Sequence, residues 1–172
     1  MKKILVLLFI ITSVTLGNAR PPQKGYRGFV DWDNAFGKMT YFDNTDGKLM
    51  RNTQWFIGVS TSHGYQFNPH VFLGGGLMLE GATPSGDLNF PVFADFRYDA
   101  AFGKFTPFGD VRLGYNFADG GGIYFSPTVG YRFSWNHKLG LNLGVGLTVR
   151  GCDNGDGRQN DCFFTFRLGV DF

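Results

Sequence analysis

Six arginines and seven carboxylates fall at alternate positions of otherwise apolar segments: Arg27, Arg97, Arg112, Arg132, Arg150 and Arg167 against Asp31, Asp33, Glu80, Asp95, Asp99, Asp110 and Asp171. Two neighbouring carboxylates serve general acid–base catalysis when one of them keeps its proton. Beside a guanidinium a carboxylate stays ionised, so this mixture favours ion pairing over catalysis. Ser60, Ser62 and His63 supply the residue types of a nucleophile and its base. They do not converge with a carboxylate: His63 has the parity of an apolar face, and His70 and His137 sit at turns, so no catalytic residue is assigned.

Cys152 and Cys162 flank a polar stretch. In an exported chain, a bridge between them closes a small ring worth about 2 to 3 kcal/mol. Two cysteines without nearby histidines supply too few ligands for zinc. Asp153, Asn154, Asp156, Gly157, Asn160 and Asp161 approach a calcium loop, but Cys152 stands where the first carboxylate belongs, and turn-forming polar residues are the better reading. No metal and no cofactor is expected.

Lys2 and Lys3, the apolar run Ile4 to Ile11 and the small residues Gly17 and Ala19 have the form of a cleaved secretory signal over residues 1–19. Residues 20–172 then form one domain. Of the 16 Lys and Arg, Lys2 and Lys3 leave with the signal, so 14 basic residues face 14 acidic ones. A neutral mature chain lacks the basic footprint that nucleic acid requires. Charged residues make up 17% of the chain, against about 25% in typical soluble proteins, and aromatics another 17%. That balance, with 26 glycines, favours strands and turns and leaves less surface that needs water.

Eight segments alternate apolar with polar or small residues: 24–36, 53–67, 70–80, 90–101, 105–117, 122–135, 138–150 and 163–172. Long polar spacers (37–52, 81–89, 151–162) alternate with tight turns at Asn68-Pro69, Gly103-Lys104 and Asn136-His137. The short connection 118–121 breaks the rule. Short turns on one side and longer loops on the other, joining strands of about 9 to 11 residues, mark a transmembrane barrel. The expected fold is an all-β, eight-stranded antiparallel up-and-down transmembrane β-barrel.

The soluble eight-stranded barrel is the competing architecture, with the apolar face turned inward. An eight-stranded barrel has an interior only wide enough for side chains. Here the bulky residues share the apolar face, while Gly58, Gly74, Gly76, Gly114, Gly130, Gly144 and Gly146 share the other. That places the apolar face in lipid. Aromatics then fall near both strand ends: Tyr26, Tyr65, Phe67, Tyr98, Phe105, Phe133, Trp135 and Phe172 at one, Trp32, Trp55, Phe90, Tyr115, Phe125 and Phe164 at the other, as two headgroup girdles.

Inward charges must be paired. A two-residue turn at Gly103-Lys104 puts Arg97 opposite Asp110 and Asp95 opposite Arg112. Where the first strand meets the last, one register sets Arg27 opposite Asp171 and Asp31 opposite Arg167. These eight residues are the expected lumen network, and a lumen filled by them is plugged.

From Tyr26 to Phe172 the chain resembles the small eight-stranded outer-membrane barrels of Gram-negative bacteria, the class of OmpX and the OmpA transmembrane domain. Gly28-Phe29-Val30-Asp31, His63-Gly64-Tyr65-Gln66-Phe67-Asn68-Pro69, Phe93-Ala94-Asp95-Phe96-Arg97 and Leu139-Gly140-Leu141-Asn142-Leu143 resemble short porin-like members. The resemblance implies residence in the outer membrane among its lipids and insertion by the barrel assembly machinery. The terminal signal for insertion is Phe164, Phe166, Leu168, Val170 and Phe172. It implies no activity. The expected function is a monomeric, non-enzymatic surface barrel that supports the envelope or meets a surface ligand or host partner through its loops. A narrow solute or ion channel is the alternative, followed by a barrel enzyme acting on lipid A. The stretch 37–52, with Met39, Tyr41, Phe42, Leu49 and Met50, is read either as a contact loop or as an extension of the first two strands.

Overall fold

The computed structural model describes residues 23–43, 48–83, 85–100, 105–117, 121–134, 139–153 and 158–172, with the backbone alone at 39–43, 48–51, 152, 153, 158 and 159. The signal segment, Gly103-Lys104, Asn136-His137, Trp135 and the residues Asn154, Asp156 and Gly157 of the acidic stretch lie outside these residues.

Eight long strands form the wall: β1 Gly25–Asp43, β2 Lys48–Gln66, β3 Val71–Thr83, β4 Pro91–Asp99, β5 Phe105–Asn116, β6 Ile123–Ser134, β7 Gly140–Asp153 and β8 Arg158–Asp171. A two-residue strand, Leu88–Asn89, adds to the end of β3. Each strand pairs antiparallel with its chain neighbours. The barrel closes where β1 pairs with β8, so no edge remains along the paired length.

Strand alternation sets the two surfaces. Along β4 every second residue is buried, Pro91, Phe93, Asp95, Arg97 and Asp99, while Val92, Ala94, Phe96 and Tyr98 are exposed. Elsewhere Val59, Leu79 and Val129 are 57%, 55% and 63% exposed, whereas Arg112 and Asp95 are 1% exposed. Large apolar side chains outside and ionised ones inside reverse the order of a water-soluble barrel. An outward apolar band around a polar interior is the transmembrane arrangement.

Local chemistry fixes the turns. Between β2 and β3 the Asn68 Oδ1 accepts from the backbone N–H groups of His70 (2.8 Å) and Val71 (2.9 Å), so Asn68 closes the turn that Pro69 bends. Between β3 and β4 the chain needs a left-handed residue, which Gly86 supplies with φ +80° while its N–H donates to the Ala82 carbonyl at 2.8 Å. In the β6–β7 ladder the pairs run from Phe125↔Val149 to Thr128↔Gly146, and Pro127, with no N–H to donate, lies in the gap. There the Ser126 and Thr148 hydroxyls meet at 2.9 Å on the inner face.

The long spacers are largely strand. β1 and β2 pair out to Asp43↔Lys48, and β7 and β8 to Asp153↔Arg158. The β1–β8 ladder stops at Gly37↔Phe163. Two hairpins therefore rise past the closed barrel, and within the stretch 37–52 the described residues 37–43 and 48–52 are strand extensions in their backbone. An apolar/polar alternation stops being required once a strand leaves lipid, so these extensions do not keep the regular period of two.

Candidate functional site: the barrel interior

The inward face gathers its charges in three levels. Nearest the chain termini, the Arg27 Nη1 donates to Asp99 (2.9 Å) and to Gln66 Oε1 (2.8 Å), and its Nε reaches Asp171 at 3.2 Å. Arg132 donates to the same Asp171 at 2.8 to 3.0 Å, and Asn142 Nδ2 adds a further bond at 2.9 Å. Arg97 completes this level through Asp99 (3.0 Å) and Asn142 Oδ1 (2.7 Å). Its guanidinium also lies 3.6 Å from the Phe108 ring centroid. Such a desolvated cation over a ring contributes about 2 kcal/mol.

At mid-height Arg112 sits among four carboxylates. It bonds Asp31, lies 3.5 Å from Asp95, 3.6 Å from Asp33 and 3.8 Å from Asp110, and donates to Ser60 Oγ at 2.9 Å. Arg167 donates to Asp33 (2.7 Å) and Asp110 (2.5 Å). At the far level Arg150 makes a two-point pair with Glu80, one of its bonds 2.7 Å long. The Arg150 guanidinium lies 4.1 Å from the Phe56 centroid, and Phe56 packs with Ala35, Ala82 and Phe163 into an apolar cluster across the interior. All six inward arginines thus touch at least one carboxylate.

The β4–β5 register is the one that the short turn implies, Arg97↔Asp110 and Asp95↔Arg112. Facing positions do not dictate the side-chain partners. Arg112 stays near Asp95, but Arg97 turns along its own strand to Asp99, where Asn142 and the Phe108 ring also receive it.

The β1–β8 register differs from expectation by two residues: Phe29 faces Asp171, Asp31 faces Gly169 and Asp33 faces Arg167. Arg167 therefore pairs with Asp33, and Asp31 turns to Arg112. Arg27 still reaches Asp171 diagonally. No turn joins these two strands, so nothing local specifies their offset, and a shift of two keeps every side chain on its face.

The disulfide is not formed in this structure. Cys162 is a free, exposed thiol opposite Val149, whereas Cys152 is opposite Gln159. Three residue steps of about 3.4 Å separate them along the ladder, beyond the ~7 Å Cα separation that a bridge tolerates. Within the same stretch, Asp161 is buried on the inner face, an eighth inward carboxylate hidden in sequence by its place in a polar spacer.

The interior also contains aromatic rings that the bulky-outside reading passes over: Phe29, Phe56, Phe72, Phe93, Phe108, Tyr124 and Phe163 are buried. Parity reveals them, since Phe93 shares its face with Asp95 and Arg97, and Phe108 with Asp110 and Arg112. Inward glycines make room for the rings. A Cβ on Gly76 would come within 2.7 Å of the Phe93 ring, and one on Gly130 within 2.8 Å of Phe108.

The candidate catalytic set is split by the wall. Ser62 is fully buried inside, while His63 is outside, its Nδ1 2.6 Å from the Tyr26 hydroxyl and its Nε2 2.9 Å from the Thr61 hydroxyl. His70 stacks on Tyr98 and its Nδ1 lies 2.7 Å from the Asp99 carbonyl. In the terminal strand Phe164, Val170 and Phe172 are exposed and Phe166 and Leu168 half-buried. Phe172 pairs through its backbone with Gly28 at 2.9 and 3.0 Å. The described girdle aromatics are exposed, Phe125 and Phe133 partly so.

No family model matches the chain, and no curated protein matches its sequence. Solved structures do match its shape. Neisserial surface protein A superposes with a TM-score of 0.64 at 15% identity, over 86% of this chain and 96% of that one. The fold is that of a small outer-membrane β-barrel. A de novo designed transmembrane β-barrel matches with a TM-score of 0.51 at 15% identity, over 90% of this chain and 98% of the design. Such identities carry the architecture alone, and no activity.

Proposed function

We propose that this outer-membrane barrel is non-enzymatic, that its lumen is plugged by its own charges, and that it serves envelope integrity or surface contact through the hairpins above the closed barrel. The observation that carries the reading is the set of six arginines, each bonded to a carboxylate, stacked at three levels across an eight-stranded interior. A barrel of this strand number holds little beyond its own side chains. The apolar Phe56–Phe163 cluster adds a cap at the far level.

Ser62 and His63 on opposite faces support the non-enzymatic part of the proposal. A hydroxyl nucleophile must lie within hydrogen-bond reach of its base. The partners that follow are the lipids of the outer membrane, the assembly machinery during insertion, and a surface ligand or host molecule at the hairpins, with the barrel acting as a monomer. Liposomes carrying the refolded barrel should swell no faster in small sugars than empty liposomes. Swelling that falls with sugar size would replace the plugged barrel with a narrow solute channel.

A further inference from the structure

The lipid-facing wall is not uniformly bulky. Over β4 to β7 it carries two depressions of about 390 and 530 Å³ that share Gly109, Val129 and Val145. Gly109 is their floor: a Cβ built there would meet nothing within 4 Å. Tyr98 faces Gly109 from β4 and Val129 from β6, while Val145 stands beyond Val129 on β7. Pro107 and Tyr131 close the end nearer the chain termini, and Val111 and Pro127 the end toward mid-membrane. From Pro107 to Val111 the groove runs along four residue steps, about 14 Å.

Two observations say what fills it. The groove is continuous with the outward apolar band that meets the bilayer, and its lining is almost entirely apolar, so an acyl chain enters without leaving hydrocarbon. Its terminus-proximal end holds the exposed ring of Tyr131, and Tyr98, with His70 stacked on it, borders the groove beside Gly109, so that aromatic rings with polar tips flank the entering chain as at a lipid headgroup. We propose that this groove is a lipid-binding site that retains one acyl chain of a phospholipid from the leaflet at the end of the barrel carrying both chain termini. The chain lies over Gly109 beside the Tyr98 ring, and the headgroup meets the Tyr131 hydroxyl.

Gly109 lies outside the positive-φ set, and its outward side is open, so Gly109→Leu fills the groove without touching the lumen. Val129→Phe fills it from the neighbouring strand. Gly81→Leu is the control, since Gly81 is on β3, away from the groove, and has the same open space. Each barrel is refolded into vesicles of phosphatidylethanolamine and phosphatidylglycerol, extracted in mild detergent and weighed by native mass spectrometry. The unsubstituted barrel and Gly81→Leu should retain a single phospholipid, and Gly109→Leu and Val129→Phe should retain at least fivefold less. Equal retention by all four would overturn the proposal. So would a dimer of the unsubstituted barrel that Gly109→Leu abolishes, because the occupant would then be a second copy of the chain.

Discussion

Arg97 is satisfied by three different chemistries: a carboxylate on its own strand, an amide on β7 and the face of Phe108. Removing it leaves Asp99 with Arg27 as its one ion-pair partner among the described residues. Breaking a buried pair by deleting one member costs about 3 to 5 kcal/mol. Because Arg27 still compensates Asp99, Arg97→Ala should lower the barrel's unfolding free energy in vesicles by less, about 1 to 3 kcal/mol, read from denaturant titration, and an unchanged midpoint would show that Arg27 alone satisfies Asp99. The seam has its own test. A double-mutant cycle between Asp33 and Arg167 should return a coupling of about 1 to 3 kcal/mol, larger than the Asp31–Arg167 cycle. Equal couplings, or the reverse order, would favour the register that places Asp31 opposite Arg167.

At the scale of the strand, the inward glycines and the inward rings are complementary. A Cβ on Gly114 would lie 2.0 Å from the Val92 carbonyl and 2.6 Å from the Phe93 Cα, both backbone atoms that a strand cannot easily move. Gly114→Ala should therefore cost about 1 to 3 kcal/mol by overpacking, or block refolding, whereas Gly109→Ala on the open outer side of the same strand should be nearly silent in the same assay. Cys162 should react with a maleimide without prior reduction; protection relieved by dithiothreitol would restore the bridge to Cys152. The eight strands and their faces were legible because lipid imposes a period of two on every crossing. The β4–β5 offset was legible because a short turn fixes it. The seam offset was not, since β1 and β8 meet without a connection; the extension of the first two strands was one of two open readings, and that of the last two was hidden, because both leave the lipid that writes the pattern. Inner phenylalanines such as Phe93 escaped for another reason: residue type alone assigns a ring to lipid, and only its parity with Asp95 and Arg97 places it in the lumen.

For the whole molecule, the proposal is that charge and ring packing act together to close a space that the backbone leaves narrow. The three levels of ion pairs lie in series between the terminus-bearing end and the Phe56–Phe163 cluster, so a permeating ion would have to break each in turn. Planar-bilayer recording of the refolded barrel tests that closure most directly. The sealed interior predicts a baseline free of stepwise openings in molar potassium chloride, with openings emerging only when Arg112 and Arg167 are both replaced by Ala. Regular stepwise openings of the unsubstituted barrel, abolished by heat unfolding, would contradict it.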